Sequence, residues 1–347
     1  MATTVTTTWG LTLKRLSARL RVLIALATIA SLGLTGCTTA GYYWQSVSGH
    51  LSLMNAARPM SDWLADAQTP EPLKARLAMS QRIRSFAVTE LKLPDNASYQ
   101  RYADLRRSAV VWNVVAAPEL SLRLNTWCFP VVGCVGYRGY FSELDARAEA
   151  AQLSAQGLEV SVYGVPAYST LGWMNWAGGD PLLSTFINYP EGELARLVFH
   201  ELAHQVVYAA GDTMFNESFA TAVERLGSQR WLAAHASDTA RLQYQQFDQR
   251  RQAFKALALA TRRELTAVYE SKEALSQSVP ARVAMKSIAM QNFRDRYADL
   301  KASWDGFAGY DPWVARANNA TFGTQADRKS TRLNSSHRNT SRMPSSA

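Results

Sequence analysis

The chain has 347 residues and a formal net charge of +9. Residues 1–36 contribute four basic residues and no acids, and residues 327–347 contribute five basic residues and one acid, which leaves +1 for the body. A nearly neutral body excludes the strongly basic surface that binds phosphate backbones, so we expect no nucleic-acid partner. The body is long enough for one large domain.

The first predicted element is an export leader. Four basic residues between positions 14 and 21 precede an apolar run over residues 22–34, which is too short to span a membrane comfortably. The run ends in Leu34-Thr35-Gly36-Cys37, which resembles the lipobox of bacterial lipoproteins. We predict cleavage after residue 36 and lipidation of Cys37, with a plain signal peptide as the alternative. Lipidation would anchor the domain in the bacterial envelope on the periplasmic side, and the absence of aspartate after Cys37 favours the outer membrane.

The rest of the chain predicts an α+β fold in which helices predominate. Periodicity predicts a small sheet and long flanking helices: helices over residues 43–67, 71–91, 143–156, 229–275 and 281–303, and strands over residues 110–115 and 158–163. Residues 165–172 fit an edge strand that binds an extended substrate or, alternatively, a loop.

Two cysteines, Cys128 and Cys134, remain after Cys37 and have five residues between them. In an oxidising periplasm we expect them to form a disulfide. Two reduced thiols or a weak metal-binding pair are the alternatives, because spacing alone does not establish the geometry.

The most informative pattern is His200-Glu201-Leu202-Ala203-His204, inside a predicted helix over residues 193–209. Histidines four residues apart lie on one side of a helix, where both rings can bind the same Zn²⁺. Glu201 would then lie beside the metal and accept a proton from a zinc-bound water. We predict one Zn²⁺ per chain, and cobalt or manganese fits the same ligands.

A catalytic zinc requires a third protein ligand and an open position for water. Glu217 and Glu224 are the acidic candidates, on one face of a predicted helix over residues 216–227. The two glutamates are seven residues apart, so the spacing alone does not choose between them.

The second helix resembles the second zinc helix of the gluzincin aminopeptidases. Their N-E-G-F-A pattern is matched here by Asn216-Glu217-Ser218-Phe219-Ala220, and a second glutamate follows at Glu224. The resemblance implies that Glu217 is the ligand and that Glu224 orients a histidine ring, with Asn216 in a supporting position. The connection from His204 to Glu217 is shorter here than in those enzymes, so residues 209–213 must turn tightly.

A wider resemblance covers about residues 37–320. The motifs that carry it are Trp-Cys-Phe-Pro at 127–130, Gly-Cys at 133–134, Tyr-Arg-Gly-Tyr-Phe at 137–141, and the segments 180–186 and 191–196. Together they resemble a family of predicted bacterial zinc aminopeptidases with lipoprotein-type leaders. This resemblance implies a zinc hydrolase acting on peptides, and it supports the hydrolase more strongly than the aminopeptidase specificity.

In gluzincins a tyrosine or histidine often stabilises the oxyanion. We therefore predict Tyr137 and Tyr140 as donors and Arg138 as a substrate anchor; the alternative is a structural turn with packed aromatic rings. The strand motif that binds the substrate amine in the familiar gluzincin aminopeptidases is missing from the sequence, and Glu143 and Asp180 are possible substitutes.

Three functions remain open at this point: a lipid-anchored zinc aminopeptidase, a zinc endopeptidase of the envelope, and a non-enzymatic lipoprotein with a structural zinc site. Glu201 argues against the third, because a structural site does not require a base. The sequence does not indicate the oligomeric state.

The final segment, residues 327–347, is polar and basic without periodicity, which is typical of a disordered tail. Residues 327–337 also match a translated sequencing adapter. We therefore predict a leader over residues 1–36, a C-terminally truncated peptidase domain over residues 37–326, and a non-native tail.

Overall fold

The computed structural model describes residues 41–129, 133–170, 175–209 and 212–325. The chain divides into two units, Met1–Ser52 and Leu53–Ala347. In the first unit the described residues, 41–52, are helical and form α1. The predicted leader, Cys37 and the predicted artefact over residues 327–347 lie outside the described residues, and those predictions stay predictions.

The second unit is mainly helical. Its helices are α2 (Met60–Ala65), α3 (Glu71–Thr89), α4 (Glu143–Ala155), α5 (Glu191–Ala203), α6 (Thr213–His235), α7 (Asp238–Glu270), α8 (Lys272–Leu275), α9 (Val279–Ser303), α10 (Asp311–Ala315) and α11 (Asn319–Gly323). Its strands are β1 (Arg58–Pro59), β2 (Arg101–Ala103), β3 (Val111–Pro118), β4 (Trp127–Phe129), β5 (Gly133–Val135), β6 (Arg138–Tyr140), β7 (Leu158–Val165) and β8 (Leu182–Leu183). The predicted helix-predominant α+β class is confirmed.

The strands form small sheets. β1 pairs antiparallel with β2, which pairs parallel with β8, so this sheet is mixed. A second sheet has the order β6-β3-β7 and is antiparallel throughout. β4 and β5 form a separate two-stranded ladder.

The prediction of one helix over residues 43–67 is wrong in its second half. The helix that begins at residue 41 ends at residue 56, Arg58–Pro59 forms β1, and α2 begins only at Met60. Pro59 has an extended backbone (ψ 140°), and proline lacks the N–H that a continuing helix would use. The Met60 N–H donates to the Gln100 carbonyl at 3.1 Å instead, which fixes the chain beside β2.

The buried apolar residues form two main clusters. The first surrounds α5 and includes Leu77, Ile83, Phe199 and Trp231, and the second lies between α7, α9 and the short C-terminal helices. Within α5, the residues Leu194, Val198 and Leu202 are fully buried. Burial of each such side chain contributes about 1.5–3 kcal/mol, so the apolar side of α5 fixes the direction in which its polar side points.

Candidate metal centre

Helix α5 carries His200 and Glu201 of the central motif, and His204 caps its C-terminal end. It begins after Pro190, and Glu191 and Glu193 lie in its first turn, where acidic groups favour the helix dipole. His200 and His204 follow at a spacing of four, so their rings lie together, with centroids 4.7 Å apart and an interplanar angle of 84°. The helical residues end at Ala203, earlier than the predicted end near residue 209.

Helix α6 brings the acidic residues to the same place. It begins at Thr213, where the Asp212 side chain accepts a hydrogen bond from the Phe215 N–H at 2.9 Å. The Asn216 amide makes two hydrogen bonds to Ala209: it accepts from the N–H at 2.8 Å and donates to the carbonyl at 2.9 Å. The segment that follows His204 is therefore tied directly to the residue before Glu217.

The nitrogen and oxygen atoms of three side chains converge. The Nε2 atoms of His200 and His204 are 3.1 Å apart. The Glu217 carboxylate oxygens lie 3.5 Å from the first of these nitrogens and 3.6 Å from the second. Ligand atoms around a tetrahedral Zn²⁺ at 2.0–2.1 Å are about 3.3–3.4 Å from each other. The donor set therefore fits a metal ion, and these three residues form a group whose ligand atoms all lie within 4.8 Å.

Glu224 has a different position from Glu217. It is buried, and its Oε2 lies 2.8 Å from Nδ1 of His200. Its other oxygen accepts hydrogen bonds from Nε and Nη2 of Arg196 at 3.0 and 2.7 Å. This arrangement holds the His200 ring with Nε2 directed toward His204, which is the geometry expected of a carboxylate that orients a metal-binding histidine.

The charges of the site shift its protonation equilibria. Burial acts to lower the pKa of His200, but hydrogen bonds to Glu217 and Glu224 outweigh it and raise that pKa to about 10. The hydrogen bond with His200 lowers the pKa of Glu217. Burial, together with the nearby His200, lowers the pKa of His204. A metal-binding imidazole must be unprotonated, so metal binding here would release a proton from His200.

Glu201 lies beside the three converging side chains. Burial raises its pKa to about 7; the nearby His200 and a hydrogen bond from Ser169 act in the opposite direction, and the charges of Glu217 and Asp180 raise it further. A carboxyl group with a pKa near neutrality can accept a proton in one step and donate it in another. Perturbed carboxyl groups of this kind are enriched in catalytic sites.

A network of hydrogen bonds that the sequence did not predict extends from Glu201 through Ser169 to Asp180. Asp180 is 1% exposed and accepts hydrogen bonds from the N–H and hydroxyl of Thr170, at 3.0 and 2.8 Å. The Ser169 hydroxyl, which also bonds Glu201, lies 3.4 Å from the same carboxylate. Asp180 therefore fixes the segment that contacts Glu201.

A second set of hydrogen bonds connects the end of α5, through residues 96–99, to Asp180. Gln205 donates to the Ser98 hydroxyl at 3.3 Å and accepts from the Asn96 amide at 2.7 Å. The Tyr99 N–H donates to the Asp180 carbonyl at 2.7 Å, with Tyr99 in a left-handed conformation (φ 61°). Left-handed backbone at a residue other than glycine is uncommon and is enriched near functional sites. No local sequence pattern gives this conformation.

The residues predicted as oxyanion donors and substrate anchor lie on or beside β6. Tyr140 is buried and pairs with Trp112 of β3. Arg138 forms an ion pair with Glu149 of α4 at 3.2 Å and lies 5.8 Å from the Tyr140 ring centroid. Tyr137 is about half exposed. These contacts match the alternative of a structural turn with packed aromatic rings, and a role of these residues in catalysis stays a prediction.

The other predicted features have these positions. Cys128 and Cys134 are joined by a disulfide across the β4–β5 ladder. Val165 ends β7, and residues 166–170 are irregular, so their described part is a loop. Of the two carboxylates considered for the substrate amine, Glu143 pairs with Arg147 on α4 and Asp180 is engaged as described above.

Comparison with known protein families identifies the class of protein. The model of a family described as "Putative aminopeptidase" matches residues 41–338. The chain belongs to this family, which supports peptide hydrolysis as its activity. No curated protein and no solved structure matches the chain. Among the described residues, none of the helices is long and apolar enough to cross a membrane.

Proposed function

We propose that the protein is a zinc-dependent aminopeptidase. The observation that carries this proposal is the convergence of His200, His204 and Glu217, with ligand atoms within 4.8 Å, beside the perturbed carboxyl of Glu201. Family membership supports the peptide substrate. The donor spacing and the two imidazoles support zinc over a metal that prefers oxygen ligands.

Each residue has a defined task in this proposal. His200, His204 and Glu217 hold the metal, and Glu224 keeps the His200 ring oriented through its 2.8 Å contact. A bound Zn²⁺ supplies a Lewis acid that polarises the peptide carbonyl and acidifies water. Glu201 accepts the proton of the attacking water and later delivers it to the leaving amine, a pair of transfers that a pKa near 7 favours.

One observation favours a zinc endopeptidase as the second candidate. An aminopeptidase requires a carboxylate that binds the free α-amine of its substrate. Asp180 is buried and hydrogen-bonded to Thr170, and Glu143 is paired with Arg147. Both carboxylates that the sequence suggested are therefore engaged within the protein.

The location of the enzyme is also a proposal. The apolar leader that ends at Cys37 supports a lipid anchor in the bacterial envelope, with the domain in the periplasm. Metabolic labelling with a fatty-acid analogue tests this. The expected result is labelling of the wild-type chain and none of Cys37→Ser, whereas equal labelling of both would contradict lipidation.

The decisive experiment compares the purified wild-type protein with Glu201→Gln on peptides with a free or a blocked amino terminus. The matched control is Glu273→Gln, an exposed glutamate on α8. Chelator-sensitive cleavage of free-amine peptides alone, lost in Glu201→Gln and kept in the control, supports the aminopeptidase. Cleavage of blocked peptides supports the endopeptidase. Stoichiometric zinc without any cleavage contradicts both and favours a structural metal site.

A further inference from the structure

A cavity separate from the candidate metal centre lies against the antiparallel sheet. It has a volume of about 340 Å³, and the residues relevant to its chemistry are Val115, Ser161, Tyr163, Trp313, Arg316 and Thr321. They come from β3, β7, α10, α11 and the turn between the last two. None of the residues assigned to the metal centre lines this cavity. Its volume lies at the lower end of the range for small-molecule sites.

The cavity contains a cation without a matching anion. Arg316 is the charged residue among those that line it. Its Nη1 donates to the Pro312 carbonyl at 2.8 Å, whereas its buried Nε has no hydrogen-bond partner among the described residues. Burial lowers the pKa of Arg316, as expected for a cation that is partly removed from water. An anion in the cavity would offset this cost.

Comparison with two other arginines shows why Arg316 differs. Burial also lowers the pKa of Arg76 and of Arg107. The Arg76 guanidinium donates to the carbonyls of Ile187 and Tyr189, and that of Arg107 donates to the carbonyls of Phe141 and Val110, at 2.7 and 2.9 Å. Those two guanidinium groups therefore each bind two backbone oxygens of the protein, whereas the guanidinium of Arg316, which lines the cavity, binds one.

A second polar group at the cavity also has an unused hydrogen-bonding capacity. Ser161 is 4% exposed, and its Oγ has no hydrogen-bond partner among the residues that the structure describes. Ser161 lies opposite Val115 in the β3–β7 ladder, so the sheet fixes its position. A buried hydroxyl without a partner costs about 1–3 kcal/mol, which a ligand acceptor would recover.

The rest of the lining consists of Val115, two aromatic rings and the polar side chains of Thr321, Thr324 and Gln325. Trp313 packs against Phe254, Phe293 and Phe322 with ring centroids 5.1, 5.7 and 5.3 Å away, so its indole ring is held in place. Tyr163 contributes a second ring. Rings held in this way stack on an apolar or aromatic ligand without a large loss of side-chain entropy.

We propose that this cavity binds a small carboxylate with an apolar or aromatic body. Arg316 and Ser161 donate hydrogen bonds to the carboxylate, and Trp313 and Tyr163 contact the body of the ligand. The site is independent of the proposed zinc chemistry, because it uses other residues and a ligand that need not react. Nothing in the proposed function requires this site to be occupied.

Isothermal titration calorimetry on the full chain tests the proposal. The probe is N-acetyl-L-phenylalanine, and N-acetyl-L-phenylalaninamide is the matched neutral compound. A carboxylate also binds metal ions, so each titration is repeated with a chelator. The expected result is saturable binding of the acid, with and without the chelator, and binding of the amide that is weaker by about tenfold or more.

Three variants locate the binding site. Arg316→Gln should weaken binding of the acid by about tenfold or more, Arg316→Lys less, and Ser161→Ala by a few-fold. Arg123→Gln, at an exposed arginine outside the cavity, should have no effect. Unchanged melting temperatures show that the variants are folded. If Arg316→Gln does not fold, Ser161→Ala provides the test instead. The proposal is wrong if the acid does not bind, if the chelator abolishes binding, or if folded Arg316 and Ser161 variants bind like wild type.

Discussion

The metal centre and the α7–α9 layer arrange their charged groups in opposite ways. In the α7–α9 layer, Arg296 forms a bidentate ion pair with Glu264 at 2.7 and 2.8 Å, and Lys301 pairs with Asp311 at 2.6 Å. At the metal centre, two imidazole nitrogens face each other at 3.1 Å and a carboxylate points between them. In the first arrangement each charge has its partner within the protein, whereas the second is best satisfied by an added cation.

This difference indicates that different side chains should determine the stability of the protein and its activity. Side chains that are fully paired within the protein should affect mainly the free energy of unfolding. The converging side chains of His200, His204 and Glu217 should affect mainly metal binding and turnover, and their substitution should change the free energy of unfolding little. Substitutions in each region test this contrast.

The largest expected effect on activity is that of Glu201→Gln. Loss of the general base should lower kcat by about 10²–10⁴-fold. The zinc content should be unchanged, because Glu201 is not among the three converging ligands. Steady-state kinetics and metal analysis of the same sample measure both quantities. Activity within tenfold of wild type would remove Glu201 from the proposed mechanism.

The largest expected effect on stability is that of Phe293→Ala in α9. Phe293 is completely buried in the second cluster, so the truncation should lower the free energy of unfolding by roughly 3–5 kcal/mol. Urea denaturation measures the change, and Ile288→Ala, at an exposed position of the same helix, is the control. The metal affinity of the folded fraction should not change. A loss of metal affinity would show that the two regions are coupled.

An intermediate effect is expected for Glu224→Gln. The amide keeps the shape of the side chain but removes the negative charge that orients His200 and pairs with Arg196. The affinity for zinc should fall by about 10–100-fold, as for other carboxylates that support a metal-binding histidine. Competition with a coloured chelator measures it, with Glu273→Gln as the control. Unchanged affinity would mean that the Glu224 contact does not tune the ligand.

The smallest effect is expected for Asp311→Asn. Hydrogen bonds from Lys301 and Tyr297 hold the pKa of Asp311 below its usual range. The carboxylate therefore stabilises the fold at pH values above the unfolded pKa of about 3.9, and this contribution is lost as the pH falls through the lower folded pKa. The melting temperature of the variant should be slightly below that of the wild type at pH 7, and this difference should decrease as the pH falls toward 3. A constant gap across this range would contradict the assignment.

The sequence predicts the parts of the site that depend on local periodicity. A spacing of four placed His200 and His204 together, because helix geometry alone determines which residues share a face. The motif resemblance selected Glu217 as the ligand and Glu224 as the supporting residue, and the structure places Glu217 in the converging group and Glu224 against Nδ1 of His200. Spacing alone could not separate these glutamates, since both face α5.

The rest of the site depends on contacts between distant segments. Ser98 and Asp180 meet through loops 82 residues apart in sequence, and no local pattern indicates such a meeting. The extent of α5 was also overestimated, because Val206 and Val207 continue the apolar pattern. Both valines are exposed. The final turn has hydrogen bonds between residues three apart, from Gln205 N–H to the Leu202 carbonyl and from Val206 N–H to the Ala203 carbonyl. Solvent exposure of an apolar residue is a tertiary property that periodicity does not reveal.

The double hydrogen bond between Asn216 and Ala209 has a thermodynamic consequence for metal capture. It joins the segment after His204 to the residue before Glu217, at 2.8 and 2.9 Å, and both bonds use only groups of the protein. The entropy of ordering these two segments is therefore lost when the protein folds and not when the ion arrives. If Glu217 is the third ligand, this preorganisation would make capture of a scarce ion more favourable and its release slower, so the site would hold a metal at low free concentrations.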